Sequence, residues 1–251
     1  MDDKLKRFKE LDFEGFRALA RDESLSRYEK IGFPDSYRAG HEERIFADIR
    51  RKLTNLERPS QTVLDIGPGC ADLPLLLIDL CRAQGHRLIL VDSQEMLDHL
   101  PDAPFITKIA AYYPTGCPEL FTEHAGRLDV ILTYSVFHYV FAEGNIFDFV
   151  DRSLGLLADG GQMLIGDIPN VSKRKRFFSS PAGVRFHQAF MQTDAPPEVR
   201  FNNPEPGSVD DAVIAGLMLR CRAAGCDAYP LPQAADLPMA NRREDFLICK
   251  P

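Results

Sequence analysis

VLDIGPGCADLPLLL, residues 63–77, runs from an apolar strand through a glycine-rich turn into a leucine-rich helix. Such a turn lets backbone and a helix N-terminus approach a bound ligand closely. Gly67 and Gly69 match the opening of the G-x-G-x-x-G fingerprint, but Asp72 stands where that pattern needs its third glycine. The stretch points to a strand–turn–helix unit of an α/β fold, and it leaves the ligand to be decided by the rest of the chain.

Outward from it, the pattern alternates. TVLDI, RLILVD, PFITKIA, DVILTYS and QMLIGDI read as strands, separated by helical stretches such as SQEMLDHL, a segment near Pro118 to His124, and NIFDFVDRSLGLLADGG. Short apolar strands alternating with helices imply a parallel sheet covered on both faces, since each parallel connection needs a crossover. CDAYPLP and DFLICK close the chain as two more strands. Upstream, residues 1–58 read as a helical cap. Leu5, Phe8, Phe16 and Leu19 predict a helix over 2–20, Ser24 to Ile31 a second, and the stripe Ile45, Phe46, Ile49, Leu53 and Leu56 a third that covers a sheet face. The stretch 169–207, rich in Pro, Asn and Ser, is too long for a plain connection and reads as a lid or insertion within the domain spanning 59–251. Ser208 then predicts a helix cap, with Asp211 at the capping-box position.

Bulk properties remove several classes. A formal charge of −7 on 251 residues disfavours a nucleic-acid partner, which needs a dominant basic face. The six cysteines lack any C-x-x-C spacing, arguing against a disulfide framework or zinc and for a cytoplasmic protein. No apolar run approaches the roughly 18 residues of a membrane-spanning helix, so no membrane partner is expected. Oligomeric state stays open between monomer and homodimer.

Asp92, at the end of the second strand, is placed to accept hydrogen bonds from both hydroxyls of a ribose. That fits NAD or S-adenosylmethionine; the competing role is to cap the helix that begins at Ser93. The series VLDIGPGCADL, LILVDSQEML, LDVILTYSVFHYV and LLADGGQMLIGDI closely resembles the ordered motifs of class I S-adenosylmethionine-dependent methyltransferases, over residues 62–168. The resemblance implies a Rossmann-like, doubly wound, seven-stranded α/β sheet with its last strand antiparallel, S-adenosylmethionine as methyl donor and S-adenosylhomocysteine as product. The family motif acid-x-G-x-G-x-G maps onto Asp65, Gly67 and Gly69 around Pro68, with Ala71 in place of the last glycine. The resemblance puts the cofactor's amino acid portion at that loop, its ribose at Asp92 and Ser93, its adenine near Met96 and Ala110, and further contacts at Ser135 and, from the folded-over N-terminal segment, Arg38. The acid usual after the third strand is absent, since KIAAYYP offers only Ala110 and Ala111.

Methyl transfer to a hydroxyl needs an aligned acceptor and a base. His138, just beyond the fourth strand, is the first candidate for general base; the alternative is a histidine packed among Phe137, Tyr139 and Val140. Asp167, at the end of the fifth strand, is the second candidate, against a loop-capping role. The acceptor site is expected to draw on Tyr37, His41, Tyr139, Asp167, Lys173, Arg174 and Arg242. Lys173 and Arg174 belong to SKRKRFF, which is either a solvated face or a clamp for a phosphate or carboxylate. No metal site is expected, because Asp167 and Asn170 alone make a poor one. SRYEKIGFPDSYR together with GDIPNVSKRKRFFSS resembles methyltransferases of bacterial surface-polysaccharide pathways, which implies a small polar acceptor: a sugar, a nucleotide-linked precursor or a phosphorus-containing capsule decoration. The rival readings are an NAD-dependent oxidoreductase, which would continue with a further parallel strand, and a methyltransferase-like protein that binds without catalysis.

Overall fold

In the computed structural model, which describes residues 11–251, seven strands form one sheet in the order β3-β2-β1-β4-β5-β7-β6. They are β1 (Thr62–Ile66), β2 (Arg87–Asp92), β3 (Ile106–Ala110), β4 (Leu128–Tyr134), β5 (Leu157–Pro169), β6 (Asp227–Pro232) and β7 (Arg243–Cys249). The first five run parallel, and β7 inserts antiparallel between β5 and β6. Strand order reverses beside β1, where β2 lies on one side and β4 on the other, so the carboxyl ends of β1, β2 and β4 open a crevice at that point.

The helices are α1 (Phe13–Arg21), α2 (Arg27–Lys30), α3 (Asp35–Arg38), α4 (Glu42–Lys52), α5 (Asp72–Gln84), α6 (Gln94–Leu97), α7 (Pro118–His124), α8 (Phe137–Glu143), α9 (Ile146–Leu156), α10 (Val171–Phe178), α11 (Pro181–Met191) and α12 (Asp211–Ala223). Side chains alternate across the sheet, so Val63 and Leu64 enter separate hydrophobic clusters on its two faces. One cluster takes the α4 stripe, with Ile49 fully buried against Leu77, Leu88 and Val130. The other takes Phe149 from α9 and Leu217 from α12. No helix among the described residues is long and apolar enough to cross a membrane.

Several boundaries differ from the sequence expectation. The helix expected over 2–20 is seen as α1, its earlier part with Leu5 and Phe8 lying outside the described residues. The second helix starts later than Ser24, because Ser26 and Glu29 form a reciprocal capping box that fixes α2 as one turn. LADGG belongs to β5 rather than to the preceding helix: Leu157 pairs with Leu128, and the Gly160 amide donates to the Lys250 carbonyl at 3.0 Å. Asp210, not Ser208, caps α12, its carboxylate accepting from the Val213 amide at 3.0 Å. The stretch 169–207 contains two helices, α10 and α11, and a further helix, α8, follows β4 at His138.

Candidate active site

The glycine turn is shaped by both backbone and neighbours. Gly67 and Gly69 have φ of +69° and +65°, a region costly for L residues. A Cβ on Gly67 would lie 2.6 Å from Val136 Cγ2, and one on Gly69 would lie 2.7 Å from Ile31 Cγ2. The second contact shows how the N-terminal helices close over the turn. They are held there by Arg17 on Glu95 and by Arg27 and Tyr28 on Asp72, and α1 is tied to α2 by Lys30 Nζ donating to the Ala20 carbonyl at 2.7 Å.

Beneath them lies a cavity lined by Gly67, Pro68, Gly69, Asp92, Met96 and Ala111. Asp92 accepts from the Gly69 amide at 2.9 Å on one carboxylate oxygen and from the Ser93 amide at 2.7 Å on the other, which leaves lone pairs on each. Burial pushes its carboxyl up to about 6 against those two bonds. Capping of α6 falls instead to Ser93, whose hydroxyl accepts from the Met96 amide. Asp65 sits behind the turn, 4% exposed and outside the cavity lining; burial, reinforced by Asp92, pushes it up to about 8. Ala110 does not line the cavity, which Ala111 and Tyr112 wall instead. Phe13 of α1 meets Tyr112 edge-on at 5.2 Å, and Phe16 meets Tyr139 at 5.0 Å, so α1 supplies an aromatic roof.

At the β4 side the wall is ionic. Arg38, buried and 4.6 Å from the Phe33 ring centroid, donates to Ser135 Oγ at 2.7 Å and lies 3.6 Å from Asp167. Ser135 donates to Asp167, and both residues hold positive φ, +63° and +60°. Burial pushes the Asp167 carboxyl up, but Arg243, Arg38 and hydrogen bonds from Ser135 and Gln233 outweigh it and hold the group below the ordinary range. Asp167 is thus a fixed anion that orients two arginines.

A second cavity of about 730 Å³ adjoins the first, and Asp12, Tyr139 and Glu143 line both. Its floor and rim include His138, Arg174, Arg242 and Arg243, with Pro169, Val171 and Gly207 from the insertion above. His138 Nδ1 is buried without a hydrogen-bond partner, and its ring lies 4.0 Å from that of Tyr139. Burial, then the nearby Arg243 charge, pushes the imidazole down to about 3, so it is neutral at physiological pH. Arg174 is bonded to Glu205, and Arg243 to Asp167. Arg242 makes no carboxylate pair among the described residues, and lies 5.7 Å from the Phe186 ring centroid.

The other expected acceptor contacts fall away from this cavity. Lys173 Nζ donates to the Arg243 carbonyl at 2.6 Å, and the rest of the basic run is paired as well, Lys175 with Glu205 of the insertion and Arg176 with Asp211 of α12. His41 Nδ1 meets Arg44 at 2.6 Å, and Tyr37 lines a small cleft with Asp167 and Met239. Asp12, Glu42, Tyr112 and Glu143 line the cavities without having been singled out from sequence. Of these, only Asp12 carried a local signal, an aspartate heading an apolar helical run.

No family model matches the sequence, and no curated protein matches it either. Solved structures do. The plantazolicin methyltransferase BpumL in complex with S-adenosylhomocysteine superposes with a TM-score of 0.56 at 15% identity, covering 100% of both chains. The protein has the fold of the S-adenosylmethionine-dependent methyltransferases. Another structure with this fold is a putative S-adenosyl-L-methionine-dependent methyltransferase from Methanococcus maripaludis, with a TM-score of 0.52 at 15% identity, covering 96% of this chain and 94% of that one. The CurJ carbon methyltransferase aligns with a TM-score of 0.54 at 14% identity over 98% of this chain; the present chain spans 65% of its length. Within the methyltransferase fold, the glycine turn, Asp92 and the α1 roof therefore occupy the switch-point crevice beside β1.

Proposed function

We propose that the protein is an S-adenosylmethionine-dependent methyltransferase that O-methylates a small anionic metabolite. The observation that carries this is the junction of two cavities at Asp12, Tyr139 and Glu143, one built on the glycine turn and Asp92, the other lined by His138 and three arginines. The fit to the cofactor rests on an acidic ribose site with free lone pairs, a turn that admits no Cβ, and an aromatic roof. When bound, S-adenosylmethionine supplies an electrophilic methyl group. The protein's residues do the rest. Asp92 and the Gly67–Gly69 turn hold the donor, while Phe13, Phe16 and Tyr112 exclude water above it. Arg242, the cation of this cavity without a carboxylate pair among the described residues, anchors the acceptor's anionic group, while Arg174 and Arg243 are held in place by Glu205 and Asp167. His138, neutral and lining this cavity, takes the proton from the acceptor hydroxyl on its imidazole as the oxygen is methylated.

Phosphorylated or nucleotide-linked sugars, including capsule precursors, belong to this acceptor class and suit the arginine walls, although none of the neighbours above is named for such an acceptor. The antiparallel β7 argues against the oxidoreductase reading. The cavity beneath the insertion argues against a purely non-catalytic binder. The test is a methyl-transfer assay with S-adenosylmethionine over phosphorylated and carboxylated hydroxyl compounds and their neutral counterparts. Turnover is expected only with the anionic set, and Arg242→Gln should raise KM for them. Equal turnover of the neutral set would contradict the proposed acceptor class.

A further inference from the structure

Glu42, at the start of α4, lines the cofactor cavity and is 4% exposed, yet neither of its carboxylate oxygens has a hydrogen-bond partner. Its nearest cation is Arg38 Nη1, at 3.9 Å, and that guanidinium already serves Ser135 and Asp167. A buried carboxylate left in this state is costly unless a ligand brings a donor to it. The donor must arrive with the occupant of the cofactor cavity, because Glu42 does not line the acceptor cavity. S-adenosylmethionine has two cationic groups, a sulfonium without N–H or O–H and an α-ammonium with three donors. Of these two only the ammonium can hydrogen-bond both oxygens, and the cofactor's other donors, its ribose hydroxyls and adenine amine, are assigned to the Asp92 and Met96 side of the cavity. Asp65, the acid of the glycine turn, is outside the cavity lining, which leaves this task to a residue of the N-terminal helices.

We propose that Glu42 receives the α-ammonium of the cofactor's amino acid portion, making the zwitterion, and not the nucleoside alone, the ligand that the N-terminal helices recognise. This rests on the cofactor reading above. Charge around the group is consistent with it: burial raises the Glu42 carboxyl, Arg38 opposes that, and Asp72 and Asp167 add to it, with the Tyr28 phenol also nearby. The apo protein therefore keeps a proton there to higher pH than a free glutamate does, and binding an ammonium expels it.

The test is calorimetric titration of wild type and Glu42→Gln with three probes: S-adenosylhomocysteine, its desamino analogue, and 5′-methylthioadenosine, which lacks the whole amino acid portion. Glu42→Gln is expected to weaken S-adenosylhomocysteine by roughly 10- to 100-fold, as for loss of a charged hydrogen-bond partner. It should leave both other probes within about 2-fold, which also shows that the variant is folded. In mildly acidic buffers of differing ionisation heat, wild type should release protons on binding S-adenosylhomocysteine, and the variant should release fewer. An equal loss for all three probes, or no loss for any, would overturn the assignment. Failure of wild type to bind S-adenosylhomocysteine at all would instead remove the cofactor reading on which it rests.

Discussion

At the residue scale, two buried titrations separate roles that look alike in sequence. His138 is pushed down to about 3 by burial and Arg243, so in the free enzyme it is already deprotonated over the whole neutral range. His138 therefore contributes no limb to kcat/KM between about pH 8 and about pH 5; an acidic limb in that range belongs to the cofactor-site carboxylates, Asp92 raised to about 6 among them, and persists in His138→Ala. His138→Ala should lower kcat by roughly 10²- to 10⁴-fold while leaving S-adenosylhomocysteine affinity unchanged. A limb near pH 6.5 that vanishes in the alanine variant would mean an exposed imidazole instead. Asp65 behaves oppositely, raised to about 8 by burial and by Asp92. The folded state holds its proton where the unfolded chain, with an aspartate near about 4, has released it. Stability thus falls as pH rises from about 4 to about 8, and Asp65→Asn should flatten that slope in denaturant titrations. The types and spacing of Gly67, Gly69 and Asp92 were legible because motif chemistry is local. The Glu42, Tyr112 and Glu143 contributions were not, since each is an ordinary side chain until the fold turns it into a cavity.

At the element scale, hydrophobic periodicity carried most of the architecture. The α4 stripe was legible, and Ile49 at its centre is fully buried. Ile49→Ala should cost about 2–5 kcal/mol of unfolding free energy, measurable as a lowered urea midpoint with an unchanged slope. The helices inside 169–207 are hidden in the sequence for a physical reason. The Asn, Ser and Pro of that stretch are helix starters: Asn170 caps α10, and Ser180 caps α11 with Pro181 in its first turn. The start of α12 was misplaced because Ser208 and Asp210 are both good caps, and only the Val213 amide distance distinguishes them. Asp210→Ala should destabilise by about 1 kcal/mol, with Ser208→Ala near zero. α8 carries little helix signal of its own, because FHYVF is aromatic and β-branched.

At the scale of the whole molecule, the site exists only where three parts of the chain meet. Asp12 comes from the N-terminal helices, Tyr139 and Glu143 from α8 beyond β4, and Arg174 from the insertion, and no sequence spacing relates them. Fold class and cofactor crevice could be inferred from the order of strands, whereas the acceptor cavity depends on packing between distant segments. The account stands on S-adenosylhomocysteine binding through Asp92. Isothermal titration of wild type and Asp92→Ala with S-adenosylhomocysteine, with NADH as the comparison ligand, tests this most directly. Micromolar binding by wild type, loss of that binding in Asp92→Ala and no heat from NADH is the predicted result. No binding of S-adenosylhomocysteine at millimolar ligand, or equal affinity in the variant, would contradict it.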